Sequence, residues 1–319
     1  MDRSSMSRPV ILAYSRRIAF DLQAWLLAHD APATVLAAST PEEARPLTGD
    51  VDILFGASFP IELFASAPHL HWIQSMNAGV EELVAAESIP PTVTVTRVID
   101  QFGKPIAEYV FAECLAHVRD LDRTRTGQRE RHWDHFIAGT LEGKTLGVAG
   151  LGSIGREIVR KGRAFDMTVF GSSRTGVAAG IVDRHFGPED WLEFVADVDV
   201  LVLTLPRTTQ TEGVISRSVL AAMRPDSMVI NVGRGALIDE GALIDFVRSG
   251  RIGGAILDVF QQEPLPTDNP FWSTPNVTVT PHISGPSTVD GVCRFFLANL
   301  HRYLTGDPLL GVVDRARGY

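Results

Sequence analysis

The chain is predicted to be an α/β protein with two open parallel-sheet domains, on three observations. Short apolar, β-branched runs alternate with helix-period segments along the chain. The runs fall into two series, one before residue 100 and one from residue 145. A glycine-rich turn, GLGSIG, stands at the first strand–helix junction of the second series. A length of 319 residues suits about two domains.

The first series is VILAYS, TVLAAS, DILFGA, HWIQSM and TVTVTRV; the second is TLGVAG, MTVFGS, VDVLVLTL, SMVINVG, GGAILDVF and NVTVTP. Runs that are apolar on both faces and separated by helices are what parallel strands covered on each side require. Each series therefore predicts an open sheet with right-handed crossovers. Two longer helical patterns complete the layout. In KPIAEYVFAECLAHVRDL, Ile106, Val110, Cys114, Val118 and Leu121 fall on one face, and in TVDGVCRFFLANLHRYLTG so do Val292, Phe295, Phe296, Leu300, Tyr303 and Leu304. After the second pattern too few residues follow to build anything new, so it is expected to cross back to the first domain. The expected division is residues 1–100 plus 290–319 for one domain and residues 101–289 for the other.

Bulk properties exclude some partners. The formal charge of −9 argues against nucleic acid and anionic membrane, both of which call for clustered positive charge. The two cysteines, Cys114 and Cys293, lie in apolar helical patterns and not in a C-x-x-C arrangement, which predicts buried thiols and no metal site. The opening apolar run is too short for a signal-peptide core, and no run approaches the roughly 18–20 apolar residues of a membrane span. A soluble, cytoplasmic protein is expected.

GLGSIG, from Gly150 to Gly155, follows an apolar strand and opens a helix. That context turns a weak glycine pattern into a dinucleotide fingerprint. Gly150 would make the tight turn, Gly152 would let the backbone approach a pyrophosphate, and Gly155 would let helix and sheet pack closely. The amides of Ser153 and Ile154 would face the phosphates from the positive end of the helix.

Three further stretches carry chemistry: SMVINVGRGALIDE with Arg234, LDVFQQEPLP with Glu263, and VTVTPHISG with His282. Arg234 and His282 come just after predicted strands, and Glu263 in the loop after another. Ligands of open α/β sheets sit outside the carboxyl ends of the strands, so the three can converge.

At this point the chain resembles the D-isomer-specific 2-hydroxyacid dehydrogenases. Besides the fingerprint, MNAGVEEL, IAEYVFAECLAHVRDL, TLPRTTQTEGVI, NVGRGALIDEGALIDFVRSGRIGGAILDVFQQEPLP and NVTVTPHISG match landmarks of that family in order. The resemblance implies a Rossmann dinucleotide-binding domain inserted into a flavodoxin-like substrate domain, with Arg234, Glu263 and His282 as the catalytic residues. It further implies cofactor contacts at Leu205, Pro206, Thr211, Val232, Gly233, Arg234, Asp258, His282, Ser284 and Gly285. The backbone amides of Ala78, Gly79 and Val80 resemble the family's second carboxylate clamp, beside Arg234 and His282.

The residue types suit reversible hydride transfer between a nicotinamide and a small 2-oxo or 2-hydroxy acid. Reduction puts hydride on the carbonyl carbon while the oxygen takes a proton, which His282 would supply, imidazole being the side chain that titrates near neutrality. Glu263 would hold the ring and favour imidazolium. Arg234 would fork onto the substrate carboxylate and polarise the carbonyl. Glyoxylate, hydroxypyruvate and bulkier 2-oxo acids all fit these residues. Two alternatives share the scaffold: a dinucleotide-sensing binding protein of the corepressor type, and a dehydrogenase of another small anion, phosphite or formate.

The cofactor is read from VFGSSRTG, residues 169–176. NAD-dependent members carry an acid at the end of the second strand, where it binds the adenosine ribose hydroxyls. Here Ser172 and Ser173 stand in its place, Arg174 offers a permanently charged fork suited to phosphate, and Thr175 adds a hydroxyl. NADP(H) is the expected cofactor, with NAD(H) the alternative. The other histidines, among them His185, are expected at the surface or in structural roles. The segment RTGQRERHWDHFIAG resembles the family's dimerisation arm and implies a homodimer through the dinucleotide-binding domain.

Overall fold

A computed structural model describes residues 8–64, 67–176, 178–315 and 317. The chain forms two compact units, Met1–Gln101 with Ser287–Tyr319, and Phe102–Pro286.

In the first unit the elements run β1 (Val10–Tyr14), α1 (Ala19–Ala28), β2 (Thr34–Ala38), α2 (Pro41–Ala44), β3 (Ile53–Gly56), α3 (Ile61–Phe64), β4 (Trp72–Ser75), α4 (Glu81–Ala85) and β5 (Thr94–Arg97). All strands are parallel in the order β2-β1-β3-β4-β5, the flavodoxin-like winding. The central strands β1 and β3 are continuous apolar runs because both sheet faces are covered there; Ile11, Leu12, Ile53 and Phe55 are wholly buried.

The second unit begins with α5 (Gly103–Val118) and α6 (Leu121–Glu130). The helical pattern through Leu121 is broken by Asp120, whose φ of 49° is left-handed and whose carboxylate caps the next helix at Arg123 N. Val118 and Leu121 are consequently only half-buried, and the buried face of α5 is completed by Ala107 and Phe111. A seven-stranded parallel sheet follows: β6 (Thr145–Ala149), α7 (Ser153–Ala164), β7 (Thr168–Ser172), β8 (Arg184–Phe186), α8 (Trp191–Ala196), β9 (Val200–Leu203), α9 (Arg217–Ala222), β10 (Met228–Asn231), α10 (Glu240–Arg248), β11 (Gly254–Leu257) and β12 (Val277–Val279). Its order is β12-β11-β10-β9-β6-β7-β8. The winding reverses between β6 and β9, which creates the crevice where doubly wound sheets bind ligands.

The C-terminal helix, Val289–Thr305, belongs to the first unit. Phe296 stacks on Phe55 with ring centroids 4.1 Å apart, and Trp72 lies against both Phe296 and Tyr303. Its buried face differs from the sequence pattern at both ends: Cys293 and Asn299 point inward, while Leu304 is exposed. Asn299 is buried because its polar atoms are matched: Nδ2 donates to Gln74 Oε1 at 3.0 Å, and Oδ1 accepts from Leu310 N at 2.8 Å. The tail beyond it runs beside β5, with Arg97 N donating to Gly311 O and Val313 N to Val95 O.

Candidate active site

The turn after β6 is built by its glycines for three different reasons. Gly150 has a φ of +102°, and a Cβ there would lie 2.6 Å from Thr204 Oγ1. Gly155 sits so close to the turn that a Cβ would lie 1.8 Å from Gly150 O. Gly152, the N-cap of α7, has an ordinary extended backbone, and a Cβ there would meet nothing within 4 Å. The fold itself therefore requires glycine at Gly150 and Gly155 but not at Gly152. The space over Gly152 adjoins the first amides of α7, Ser153 and Ile154, and fits a pyrophosphate approaching the positive end of the helix. Thr204 holds the turn from the strand across the switch point, its hydroxyl lying 3.0 Å from Ala149 O and 2.9 Å from Gly150 O.

The three predicted catalytic residues follow the carboxyl ends of the neighbouring strands β10, β11 and β12. Asn231, the last residue of β10, is buried and spans the Arg234 turn. Its Oδ1 accepts from Gly233 N at 3.1 Å, and its Nδ2 donates to Arg234 O at 2.9 Å. Arg234 Nη1 donates to Gly233 O at 2.7 Å. Gly235 then lets this turn lie directly against the loop after β11, since a Cβ there would be 1.9 Å from the carbonyl carbon of Phe260. That loop is stitched down by Gln261, whose amide donates to Glu240 Oε1 at 3.0 Å and whose side chain donates to Ile238 O at 3.1 Å. Burial pushes the Glu240 carboxyl above its ordinary range.

Glu263 uses its two oxygens differently. Oε1 accepts from Phe260 N at 3.0 Å, fixing the carboxylate to its own loop, and Oε2 lies 2.8 Å from His282 Nδ1. With Nδ1 so engaged, Nε2 is the ring nitrogen left for proton exchange.

His282 itself sits in a left-handed backbone conformation, φ 54°, which is uncommon for a residue with a Cβ. Asp258, wholly buried, holds that conformation in place. Its carboxylate accepts from Ile283 N at 2.8 Å and Ser284 N at 2.9 Å, while its carbonyl accepts from His282 N at 3.0 Å. The Thr280 hydroxyl donates to Asp258 Oδ1 at 2.7 Å, so the Tyr109 hydroxyl, 2.7 Å from Thr280 Oγ1, must donate to it in turn. Burial raises the Tyr109 phenol well above its ordinary value, which keeps it a donor.

The remaining predicted residues divide. Leu205, Val232 and Gly233 lie together, with the Gly233 Cα facing Leu205 O. Thr211 Oγ1 donates to Pro206 O at 2.7 Å, closing the loop after β9. Gly285 packs against Ile106 of α5. Ser172 is buried at the end of β7 with its hydroxyl 3.4 Å from Gly187 O, so it closes the strand end, and the exposed loop begins beyond it. Ser173 Oγ lies 2.8 Å from His185 Nε2, and Arg174 and Thr175 are exposed. In the first unit, Ala78, Gly79 and Val80 follow β4, with Arg97 Nη1 donating to Ala78 O at 3.1 Å. Asn231, Tyr109, Thr280 and His185 were not singled out for the site from sequence. Only Asn231 carried a signal, a polar residue ending a buried apolar strand.

Among the described residues no group of three or more His, Cys, Asp or Glu side chains is arranged to hold a metal ion, and no helix is long and apolar enough to cross a membrane.

A doubly wound sheet with a phosphate turn at its switch point, and an arginine beside a carboxylate–imidazole pair at the same edge, is the equipment of a dinucleotide-dependent oxidoreductase. Residues 111–284 match the family described as D-isomer specific 2-hydroxyacid dehydrogenase, NAD binding domain. The glyoxylate/hydroxypyruvate reductase A of Yersinia enterocolitica is 31% identical over 82% of this chain and 85% of its own. Among solved structures, a D-isomer specific 2-hydroxyacid dehydrogenase from Xanthobacter autotrophicus, in complex with NADPH and MES, aligns with a TM-score of 0.89 at 32% identity, covering 98% of this chain and 100% of that one. An NADPH-dependent glyoxylate/hydroxypyruvate reductase from Sinorhizobium meliloti, in complex with NADP and sulfate, aligns at 0.88 and 28% identity, with the same coverage. The chain belongs to the D-isomer specific 2-hydroxyacid dehydrogenase family.

Proposed function

We propose that the protein is an NADPH-dependent reductase of small 2-oxo acids, glyoxylate and hydroxypyruvate being the first to try. The observation that carries this reading is the His282–Glu263 pair, held by a loop that lies against the Arg234 turn at Gly235, in a unit whose second strand ends without an acid. The names of the relatives in Yersinia and Sinorhizobium support the substrate class, and the NADPH and NADP complexes of the structural neighbours support the cofactor.

Bound NADPH supplies hydride to the substrate carbonyl carbon. The chain's own residues do the rest. Nε2 of His282 delivers the proton to the carbonyl oxygen, and Glu263 stabilises the charged ring through Nδ1 and fixes its orientation. Arg234 binds the substrate carboxylate and draws charge toward the developing alkoxide. Ala78, Gly79 and Val80 are proposed as further carboxylate-binding amides. Gly152, Ser153 and Ile154 receive the pyrophosphate; Ser173, Arg174 and Thr175 receive the 2′-phosphate; Leu205, Pro206, Val232 and Gly233 line the nucleotide between them. Steady-state rates for a panel of 2-oxo acids with NADPH and NADH test the reading. Turnover of none of them with either cofactor would overturn it.

A homodimer through the second unit is part of the proposal. α6 buries none of its residues, and Trp133 and Ile137, in the stretch after it, are 92% and 95% exposed. Arg123 pairs with Asp134 and lies over the Phe136 ring, giving that stretch a fixed shape in the single chain. A monomer mass by light scattering at micromolar concentration would remove the dimer. The cytoplasm is the proposed location, where the buried thiols of Cys114 and Cys293 stay reduced.

A further inference from the structure

The loop proposed to read the 2′-phosphate is supported from below by a residue with no assigned role. β8 is a short edge strand paired to β7, with His185 opposite Gly171 and Phe186 opposite Ser172. Ser173 N donates to Phe186 O at 3.3 Å, so the loop leaves the sheet at a fixed point. There the His185 ring meets the Ser173 hydroxyl, Nε2 to Oγ 2.8 Å. The same ring reaches the far end of the loop: a Cβ built on Gly176, which has a φ of +63°, would lie 3.9 Å from His185 Cε1. One imidazole is thus bonded to the first residue of the Ser173–Gly176 turn and lies near the last.

The direction of the Ser173–His185 hydrogen bond decides what the loop offers a ligand. A neutral imidazole protonated on Nδ1 accepts at Nε2 and consumes the only proton of the serine hydroxyl. An imidazole protonated on Nε2 donates to Oγ and leaves that proton free to point outward. A phosphate dianion is an acceptor only and needs the second arrangement. A ribose hydroxyl both donates and accepts, so it is served by either.

We propose that His185 is a specificity-determining positioning residue, whose Nε2–H donates to Ser173 Oγ so that the Ser173 hydroxyl donates to the 2′-phosphate of NADPH. The relay rests on the NADPH reading above and adds to it a residue two strands' width from the pyrophosphate turn. It also accounts for a polar residue in the middle of β8, where an apolar one would otherwise extend the sheet face. Arg174 contributes charge to the same subsite; His185 contributes the orientation of a neutral donor.

The test compares wild type with His185→Phe, His185→Gln and Ser173→Ala. Phenylalanine keeps a ring of similar size without a donor, and glutamine restores an N–H near the position of Nε2. Calorimetric Kd values for NADPH, NADH, adenosine 2′,5′-bisphosphate and adenosine 5′-phosphate read binding without turnover, and KM values for the two cofactors are measured alongside. Loss of one neutral hydrogen bond should weaken NADPH and the bisphosphate about three- to tenfold in His185→Phe. NADH and the monophosphate should stay within about twofold. His185→Gln should recover most of the difference, and Ser173→Ala combined with His185→Phe should lose no more than Ser173→Ala alone. If wild type favours NADPH and His185→Phe keeps that ratio, or weakens both cofactors in parallel, the role of His185 is overturned and the NADPH reading stands. If wild type binds the two cofactors equally, the NADPH reading itself falls and the relay with it.

Discussion

The two halves of the seven-stranded sheet hold their loops by different means. After β10, β11 and β12, polar side chains grip the backbone: buried Asn231 spans the Arg234 turn, buried Asp258 takes the amides of Ile283 and Ser284, and the exposed Glu263 takes Phe260 N before it reaches His282. After β7, the loop is anchored at Ser173 and carries Arg174 and Thr175 exposed to solvent. Proton transfer, the role proposed for His282 and Glu263, depends on atoms placed to a fraction of an ångström, and a mesh of backbone hydrogen bonds suits that need. Selecting between two nucleotides that differ by one phosphate depends on charge, which tolerates a looser mount. The chemistry and the cofactor choice should therefore respond separately to substitution.

The strongest way to break that separation is at His282. His282→Ala should lower kcat by about 10²- to 10⁴-fold while NADPH binding, measured by calorimetry, is retained. A loss of NADPH affinity of similar size would mean that the two halves are one apparatus. Next comes Arg174→Ala, expected to remove most of a preference for NADPH over NADH of about one to two orders of magnitude in kcat/KM. Its kcat with saturating NADPH should stay near wild type, and an unchanged cofactor ratio would show that the loop does not read the phosphate.

Gly152→Ala sharpens the comparison within the phosphate turn. Its backbone is one that alanine adopts and its Cβ meets no protein atom, so thermal unfolding should be unchanged or improved by about 0.4–1 kcal/mol. NADPH binding should weaken sharply. Gly155→Ala should do the reverse in emphasis, lowering the melting temperature because its Cβ collides with Gly150 O. The smallest effect is expected at Tyr109→Phe, which removes the first donor in the chain through Thr280 to Asp258. One lost hydrogen bond predicts a drop of about three- to tenfold in kcat/KM with the cofactor ratio untouched. A change in that ratio would place Tyr109 with the cofactor loop.

What the sequence made legible follows the same line. Eleven strands announce themselves as apolar, β-branched runs, most clearly the central ones, whose two faces are both buried. β8 does not: its three residues, Arg184, His185 and Phe186, lie at the edge, two of them polar, and no periodicity separates them from a loop. That Arg234, Glu263 and His282 each follow a strand was readable from the apolar run before it. Their supports were not, since Tyr109 and Thr280 are 171 residues apart in sequence and meet only through the fold. The helical pattern through Leu121 misled because periodicity continues across Asp120 while the backbone turns there.

The C-terminal helix sets an order of events during synthesis. The second unit is one uninterrupted stretch, Phe102–Pro286, all of which has emerged from the ribosome before the first unit is fully synthesised. The first unit begins earlier but finishes later: until residues 289–305 are made, Phe55 and Trp72 lack the Phe296 ring that covers them, and Gln74 lacks Asn299. Domains usually complete themselves from the N-terminus onward. Here the unit that starts first must wait, with an aromatic surface uncovered, for the last part of the chain.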